Sequence, residues 1–91
     1  MTESFKNWLA ENVAEMNDLL DRTERLSKRG LITDSEAESR MIDIIDNKLP
    51  YYDKRRQYNL DEYEEVLDQR RLARRRMWKF LLEITEERVG F

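Results

Sequence analysis

Cysteine and histidine are both absent from this chain of 91 residues. Without cysteine the protein can form neither a disulfide bond nor a zinc–thiolate site, which is typical of cytoplasmic proteins. Without histidine it lacks the side chain that most often acts as a general base, a metal ligand or a pH switch. We therefore predict that the protein is not an enzyme and that it needs no cofactor or metal ion.

Long apolar runs and turn-forming residues are also scarce. The longest unbroken apolar stretches span two or three residues, so the sequence predicts no transmembrane helix. The first stretch, MTESFKNWLAEN, carries acidic residues and no apolar core, so it does not resemble a signal peptide. Two glycines and one proline argue against a β fold rich in turns. The expected location is the cytoplasm, without membrane contact.

The sequence is rich in charge. Charged residues make up 41% of the chain and hydrophobic residues 40%, and the net charge is −3 with an isoelectric point of about 5.1. This balance is typical of helices that bury one apolar stripe and leave their remaining surface to water. A chain of this length forms one domain with a small core, so residues 1–91 are expected to be a single helical domain.

Capping signals divide the chain into three predicted helices, at about 4–29, 34–49 and 60–88. Gly30 fits the left-handed position that follows a helix. The segments TDSE at 33–36 and NLDE at 59–62 each place a capping side chain three residues before a carboxylate. Pro50 disfavours helical geometry at Leu49, so the second helix should end or bend there. Gly90 is expected to end the third helix, with Trp78, Val89 and Phe91 in core or dimer contacts.

Apolar residues recur at helical spacing in each segment. The first helix has the row Phe5, Leu9, Val13, Met16 and Leu20. The second has Ile42, Ile45 and Leu49, with a neighbouring row of Ala37, Met41 and Ile44. The third has a seam at heptad spacing formed by Val66, Arg70, Ala73, Met77, Phe80 and Ile84. We predict an all-α fold, a helical hairpin or bundle with a long third helix, and a coiled-coil dimer is an open alternative.

A basic cluster lies in the middle of the third helix, within DQRRLARRRMWKF at 68–80, and contains Arg70, Arg71, Arg74, Arg75, Arg76 and Lys79. Like charges one turn apart repel, so the cluster favours an acidic counterpart. That counterpart is either internal, from the acidic first and second helices, or an acidic partner protein. A third alternative is nucleic acid, with Trp78 and the basic segment Lys54–Arg56 supplying stacking and phosphate contacts.

Four tyrosines surround the connector between the second and third helices: Tyr51, Tyr52, Tyr58 and Tyr63. Their rings either close the end of the bundle, with hydroxyl groups at the solvent edge, or line a pocket for a ligand or peptide. Arg55 and Arg56 lie in the same connector, so both aromatic and basic contacts are available there.

The stretch MNDLLDRTERLSKRG at 16–30 superficially resembles the all-helical chorismate mutases. Arg22 and Arg25 match the arginine that this family has in its first long helix. The lysine that the family has near its next helix is not found in matching surroundings. An enzyme of this class is therefore not predicted.

Residues 33–84 resemble small helical proteins from phages and mobile elements of Gram-positive bacteria. The matching segments are DSEAESRMIDIIDNKLPYYD, YNLDEYEEVLDQRRLARRR and FLLEI, and Pro50 departs from the pattern. The resemblance implies an accessory factor that binds a host or defence protein and redirects it.

These observations lead to one functional prediction with one alternative. The protein is expected to be a non-enzymatic, protein-binding factor, plausibly phage-encoded, that inhibits or modulates a host or defence protein in the bacterial cytoplasm. The predicted partner-binding residues are Arg70, Arg71, Arg74, Arg75, Trp78, Tyr51, Tyr52, Arg55 and Arg56. The alternative is a nucleic-acid-binding protein that uses the arginine-rich third helix, and a homodimer is compatible with both.

Overall fold

A computed structural model describes residues 1–53 and 55–89, without the side chain of Val89. Three helices account for most of these residues: α1 (Glu3–Lys28), α2 (Asp34–Lys48) and α3 (Leu60–Val89). No strand occurs in this part of the chain, so the predicted all-α fold with a long third helix is confirmed. Lys54, Gly90 and Phe91, which carried predictions of a basic contact, a helix end and a core or dimer contact, lie outside the described residues.

The turn between α1 and α2 has the geometry that its sequence predicts. Gly30 has a φ of +72°. This left-handed conformation is unfavourable for any residue that carries a Cβ atom. The Leu31 and Gly30 amides donate to the carbonyl oxygens of Leu26 and Ser27, each over 3.0 Å. Thr33 and Glu36 then exchange side-chain-to-backbone hydrogen bonds in a capping box that starts α2.

The end of α2 and the start of α3 also follow local signals. Leu49, which precedes Pro50, has left the helical region with φ −128° and ψ 63°, and α2 ends at Lys48. The Asn59 amide donates to Glu62 Oε1 over 3.0 Å, and the Glu62 amide donates to Asn59 Oδ1 over 2.9 Å. This second reciprocal cap fixes the first turn of α3, while the described residues of the connector between 51 and 59 form no helix.

The core is one continuous apolar cluster drawn from all three helices. The predicted seam of α3 is buried along its whole length, from Val66 to Ile84. In α2 the buried row is Ala37, Met41 and Ile45, and Leu49 after the helix is also buried. The predicted row of Ile42, Ile45 and Leu49 is therefore confirmed for Ile45 and Leu49 and wrong for Ile42, which is 40% exposed. The reason is that residues four apart continue one stripe toward Leu49, and Ile42 lies about 100° around the helix from Met41.

The helices alternate in direction. Tyr58, just before α3, packs against Phe5 and Trp8 near the start of α1, with ring centroids 6.2 and 5.9 Å apart. Arg88 near the end of α3 pairs with Asp34 at the start of α2. Helix α3 is therefore parallel to α1 and antiparallel to α2, and the molecule is elongated, 48 × 20 × 19 Å.

Candidate interaction surface on the third helix

The fold divides the basic cluster of α3 into inner and outer members. Arg70 is buried and Arg76 is half-buried, whereas Arg71, Arg74 and Arg75 are exposed. Successive residues of a helix are about 100° apart, so the side chains of sequence neighbours lie on different faces of the helix. The prediction of an internal counterpart is therefore confirmed for two members of the cluster only.

Arg70 is an internal anchor. Its Nη1 donates to the carbonyl oxygen of Leu49 and its Nη2 pairs with Asp46 Oδ1, both at 2.6 Å. The guanidinium group also lies over the ring of Tyr51, 3.8 Å from the centroid. Only 5% of Arg70 is exposed, so the predicted role of Arg70 in partner binding is corrected to joining α3, the end of α2 and the connector.

Arg76 joins α3 to α1. Its Nη2 pairs with both Asp21 and Glu24, its Nε donates to Glu24 Oε2 over 3.0 Å, and its Nη1 reaches Asn17 Oδ1 at 3.3 Å. Burial lowers the pKa of Arg76, but the hydrogen bonds and charges of Asp21 and Glu24 outweigh burial and raise that pKa overall. Arg76 thus stays charged, and its N–H groups donate to acceptors on α1.

The outward side of α3 carries a basic patch, which we call the outer patch and define as Arg71, Arg74, Arg75, Trp78, Lys79 and Leu82. Trp78 is 47% and Leu82 is 62% exposed. Among the described residues Arg71 pairs only with Asp68 of its own helix, at 2.8 Å and with both side chains mainly in solvent. No carboxylate within residues 1–53 and 55–88 lies within 4.0 Å of Arg74, Arg75 or Lys79.

Trp78 and Leu82 also line a shallow groove between α2 and α3. Leu81 and Thr85 complete its α3 side, and Asp34, Ser35 and Glu38 form its α2 side. The groove has a volume of about 330 Å³. An aromatic ring and a leucine beside unpaired cations resemble the composition of protein-binding surfaces.

The tyrosines of the connector divide in the same way. Tyr58 closes the end of the bundle, because its ring packs on Phe5 and Trp8 and its hydroxyl donates to the Pro50 carbonyl over 3.0 Å. Burial and the charge of Asp53 raise the pKa of Tyr58, against smaller opposite effects of Arg56 and Arg70. Tyr51 and Tyr52 are 51% and 70% exposed.

The predicted residues of the connector stay apart from the outer patch. Arg56 stacks on Trp8 at 5.1 Å, and the side chain of Arg55 is exposed. Tyr51 stacks on the buried Arg70 of α3. Among the described residues, no hydrogen bond, ion pair or ring stacking joins Tyr52, Arg55 or Arg56 to the outer patch, so the predicted residues form two separate surfaces.

The sequence-based prediction omitted Lys79 and Leu82 from the site. Leu82 follows Trp78 by four residues and Lys79 follows Arg75 by four, so helical spacing alone was the signal that could have included them.

Over the part of the chain that is described, no group of three or more carboxylates is placed to hold a metal ion. None of the described helices contains an apolar stretch of the length that crosses a membrane.

Comparison of the chain with known protein families, with curated proteins and with solved structures gives no match. The chemistry of the outer patch is therefore the basis on which a function is proposed.

Proposed function

We propose that this protein is a non-enzymatic binding factor that attaches to an acidic surface of a partner protein through the outer patch. The observation that carries the proposal is that Arg74, Arg75 and Lys79 lie around an exposed tryptophan. Among the described residues no carboxylate lies within 4.0 Å of these three cations. Arginine and tryptophan are enriched among the residues that dominate interface affinity. A guanidinium group also binds a carboxylate through two parallel hydrogen bonds, which gives affinity and orientation together.

We further propose that the partner is a bacterial host or defence protein, which the chain inhibits or modulates by covering its surface. The support is the resemblance of residues 33–84 to small helical phage proteins. Occupying a surface requires no catalytic group, which suits a chain without histidine or cysteine.

The experiment is site-specific photocrosslinking followed by reconstitution. A photoreactive amino acid at Leu82 would label the partner in a bacterial lysate, and the same group at Leu31, which is 66% exposed in the turn after α1, is the control. A protein labelled from position 82 but not from position 31 would then be purified and its affinity measured directly.

We expect Arg74→Glu with Arg75→Glu to weaken that affinity by about a hundredfold or more, since two hot-spot charges would face acidic groups. The matched control is Arg22→Glu with Arg25→Glu, because both residues are exposed on α1 and the change in net charge is the same. Circular dichroism should show unchanged helicity for both variants. Equal loss of affinity in both, or a collapse of helicity in the outer-patch variant, would contradict the proposal.

Nucleic-acid binding is a second candidate, favoured by cations and an exposed indole ring on one helix face. Each phosphate contact releases counterions, so this candidate predicts binding that is strong at about 50 mM salt and much weaker at about 500 mM. The net charge of −3 opposes it. Absence of binding to both DNA and RNA at the lower salt concentration would eliminate it.

A homodimer is also part of the proposal. Three of the exposed apolar side chains of α3, Leu60, Trp78 and Leu82, would be covered in it.

A further inference from the structure

The outward side of α3 changes charge along its length. Exposed acidic side chains occupy its first part and exposed basic side chains its middle. An exposed leucine stands at each end of this stretch, Leu60 at 72% and Leu82 at 62%. At about 100° per residue all of these side chains fall within an arc of about 100°, so they form one face. Its members are Leu60, Asp61, Glu64, Asp68, Arg71, Arg75, Trp78, Lys79 and Leu82.

We propose that this face binds the same face of a second copy of the chain, with the two α3 helices antiparallel. In a parallel pair, acidic side chains would meet acidic ones and basic would meet basic, which is unfavourable. Antiparallel pairing about a two-fold axis near Arg71 instead places Glu64 opposite Lys79 of the second copy and Asp68 opposite its Arg75. Leu60 then lies opposite Leu82 at both ends of the interface.

The spacing of the residues supports this register. Leu60 and Leu82 are each 11 residues from Arg71, a distance of about 16 Å along the helix on either side of the axis. A two-fold interface must be complementary to itself, and this face meets that condition in charge and in apolar ends together. Its one unfavourable feature is that the Arg71 side chains of both copies approach the axis, where each is already paired with Asp68 at 2.8 Å.

This antiparallel dimer is a particular form of the homodimer in the proposed function, and it does not depend on a host partner. It uses Arg71, Arg75, Trp78, Lys79 and Leu82 of the outer patch, so a second copy and a partner protein would compete for the same residues. Self-association would therefore cover the outer patch at high protein concentration. Experiments on the purified chain alone test the dimer, and failure of partner capture would leave their result unchanged.

Disulfide crosslinking tests the orientation, because the chain contains no native cysteine. A disulfide requires Cα atoms within about 7 Å of each other, whereas Leu60 and Leu82 are about 33 Å apart along one helix. We expect a mixture of Leu60→Cys and Leu82→Cys chains to form a covalent dimer under mild oxidation. Neither variant alone should do so at the same concentration. Leu31→Cys mixed with Leu82→Cys is the control and should stay monomeric.

Charge reversal tests the ion pairs by analytical ultracentrifugation. Arg75→Glu with Lys79→Glu makes the face mainly acidic, with Arg71 its remaining cation, and Glu64→Lys with Asp68→Lys makes it mainly basic. We expect each double variant alone to associate at least about tenfold more weakly than the wild type, and the mixture of both to recover association. Arg22→Glu with Arg25→Glu should leave association unchanged. Crosslinking of Leu82→Cys with itself, monomers at all concentrations, or no recovery in the mixture would overturn the proposal.

Discussion

At the scale of single residues, two adjacent arginines of α3 have opposite surroundings. Arg70 is buried and binds Asp46, the Leu49 carbonyl and the ring of Tyr51. Arg71 is exposed to solvent, and in the described part of the chain its only ion pair is with Asp68. A buried hydrogen-bonded charge supports several groups that would otherwise lose their partners, whereas an exposed ion pair contributes little.

Arg70→Ala should therefore lower the free energy of unfolding by about 2–3 kcal/mol, because the Leu49 carbonyl and Tyr51 lose their contact and a cavity remains. Arg71→Ala changes helix propensity by the same amount as Arg70→Ala does. It should alter the free energy of unfolding by no more than about 0.5 kcal/mol. Urea denaturation of both variants measures the difference. Equal effects would show that the contacts of Arg70 add nothing to stability.

Tyr58 gives a prediction about alkaline pH. Its pKa is raised above the ordinary value of 10.0 by burial and by Asp53. The folded state therefore holds the phenol proton more tightly than the unfolded chain does. The protonated Tyr58 therefore contributes to the stability of the folded state. That contribution is complete below pH 10.0 and is lost as pH rises through the higher pKa of the folded state. In a spectrophotometric titration the last tyrosine to ionise should disappear in Tyr58→Phe, and its persistence would contradict the assignment.

At the scale of elements, the helix ends are set by side chains within three or four residues of them. The box of Thr33 and Glu36 and the box of Asn59 and Glu62 each satisfy amide groups that have no partner in the first turn. Helix α2 has only 15 residues between Thr33 and Leu49, so its cap is a large part of its local stability.

Thr33→Ala should reduce the free energy of unfolding by about 1 kcal/mol, since the amide of Glu36 loses its acceptor. Ser35→Ala is the control, because Ser35 is exposed and lies within the same first turn, and its effect should stay within about 0.5 kcal/mol. Thermal denaturation of the two variants provides the comparison. A smaller effect at Thr33 than at Ser35 would refute a stabilising role for the cap.

At the scale of the whole molecule, the long α3 makes the protein a rod. The radius of gyration of the Cα atoms is 14.9 Å, whereas a compact chain of this length would have about 12 Å. Ion pairs of Arg76 with α1 and of Arg88 with α2 hold α3 along both shorter helices. The outer patch therefore lies on a helix that both other helices support.

Small-angle X-ray scattering at low concentration should give a radius of gyration near 14.9 Å. Antiparallel pairing about Arg71 should double the mass while lengthening the particle by only about 10 Å, because the axis lies close to the middle of α3. End-to-end association would instead nearly double the longest dimension, and scattering across a concentration series distinguishes the two.

The sequence by itself determined the helices and their boundaries. Gly30, Pro50 and the two capping boxes act on backbone groups a few residues away, so no distant contact was needed to interpret them. The heptad seam of α3 also identified its core face correctly, and it contained Arg70. Grouping that arginine by its charge rather than by its spacing led to the incorrect partner-binding role.

The tertiary structure alone decided how the basic residues are used. Arg76 is satisfied by Asp21 and Glu24, more than 50 residues earlier, and the direction and register of α1 bring these carboxylates to it. For the same reason Tyr58 packs against Phe5 at the end of the bundle, whereas Tyr51 and Tyr52 are exposed to solvent. Spacing along one helix shows which residues share a face, but the position of the neighbouring helices determines which charged faces are paired within the fold and which meet solvent.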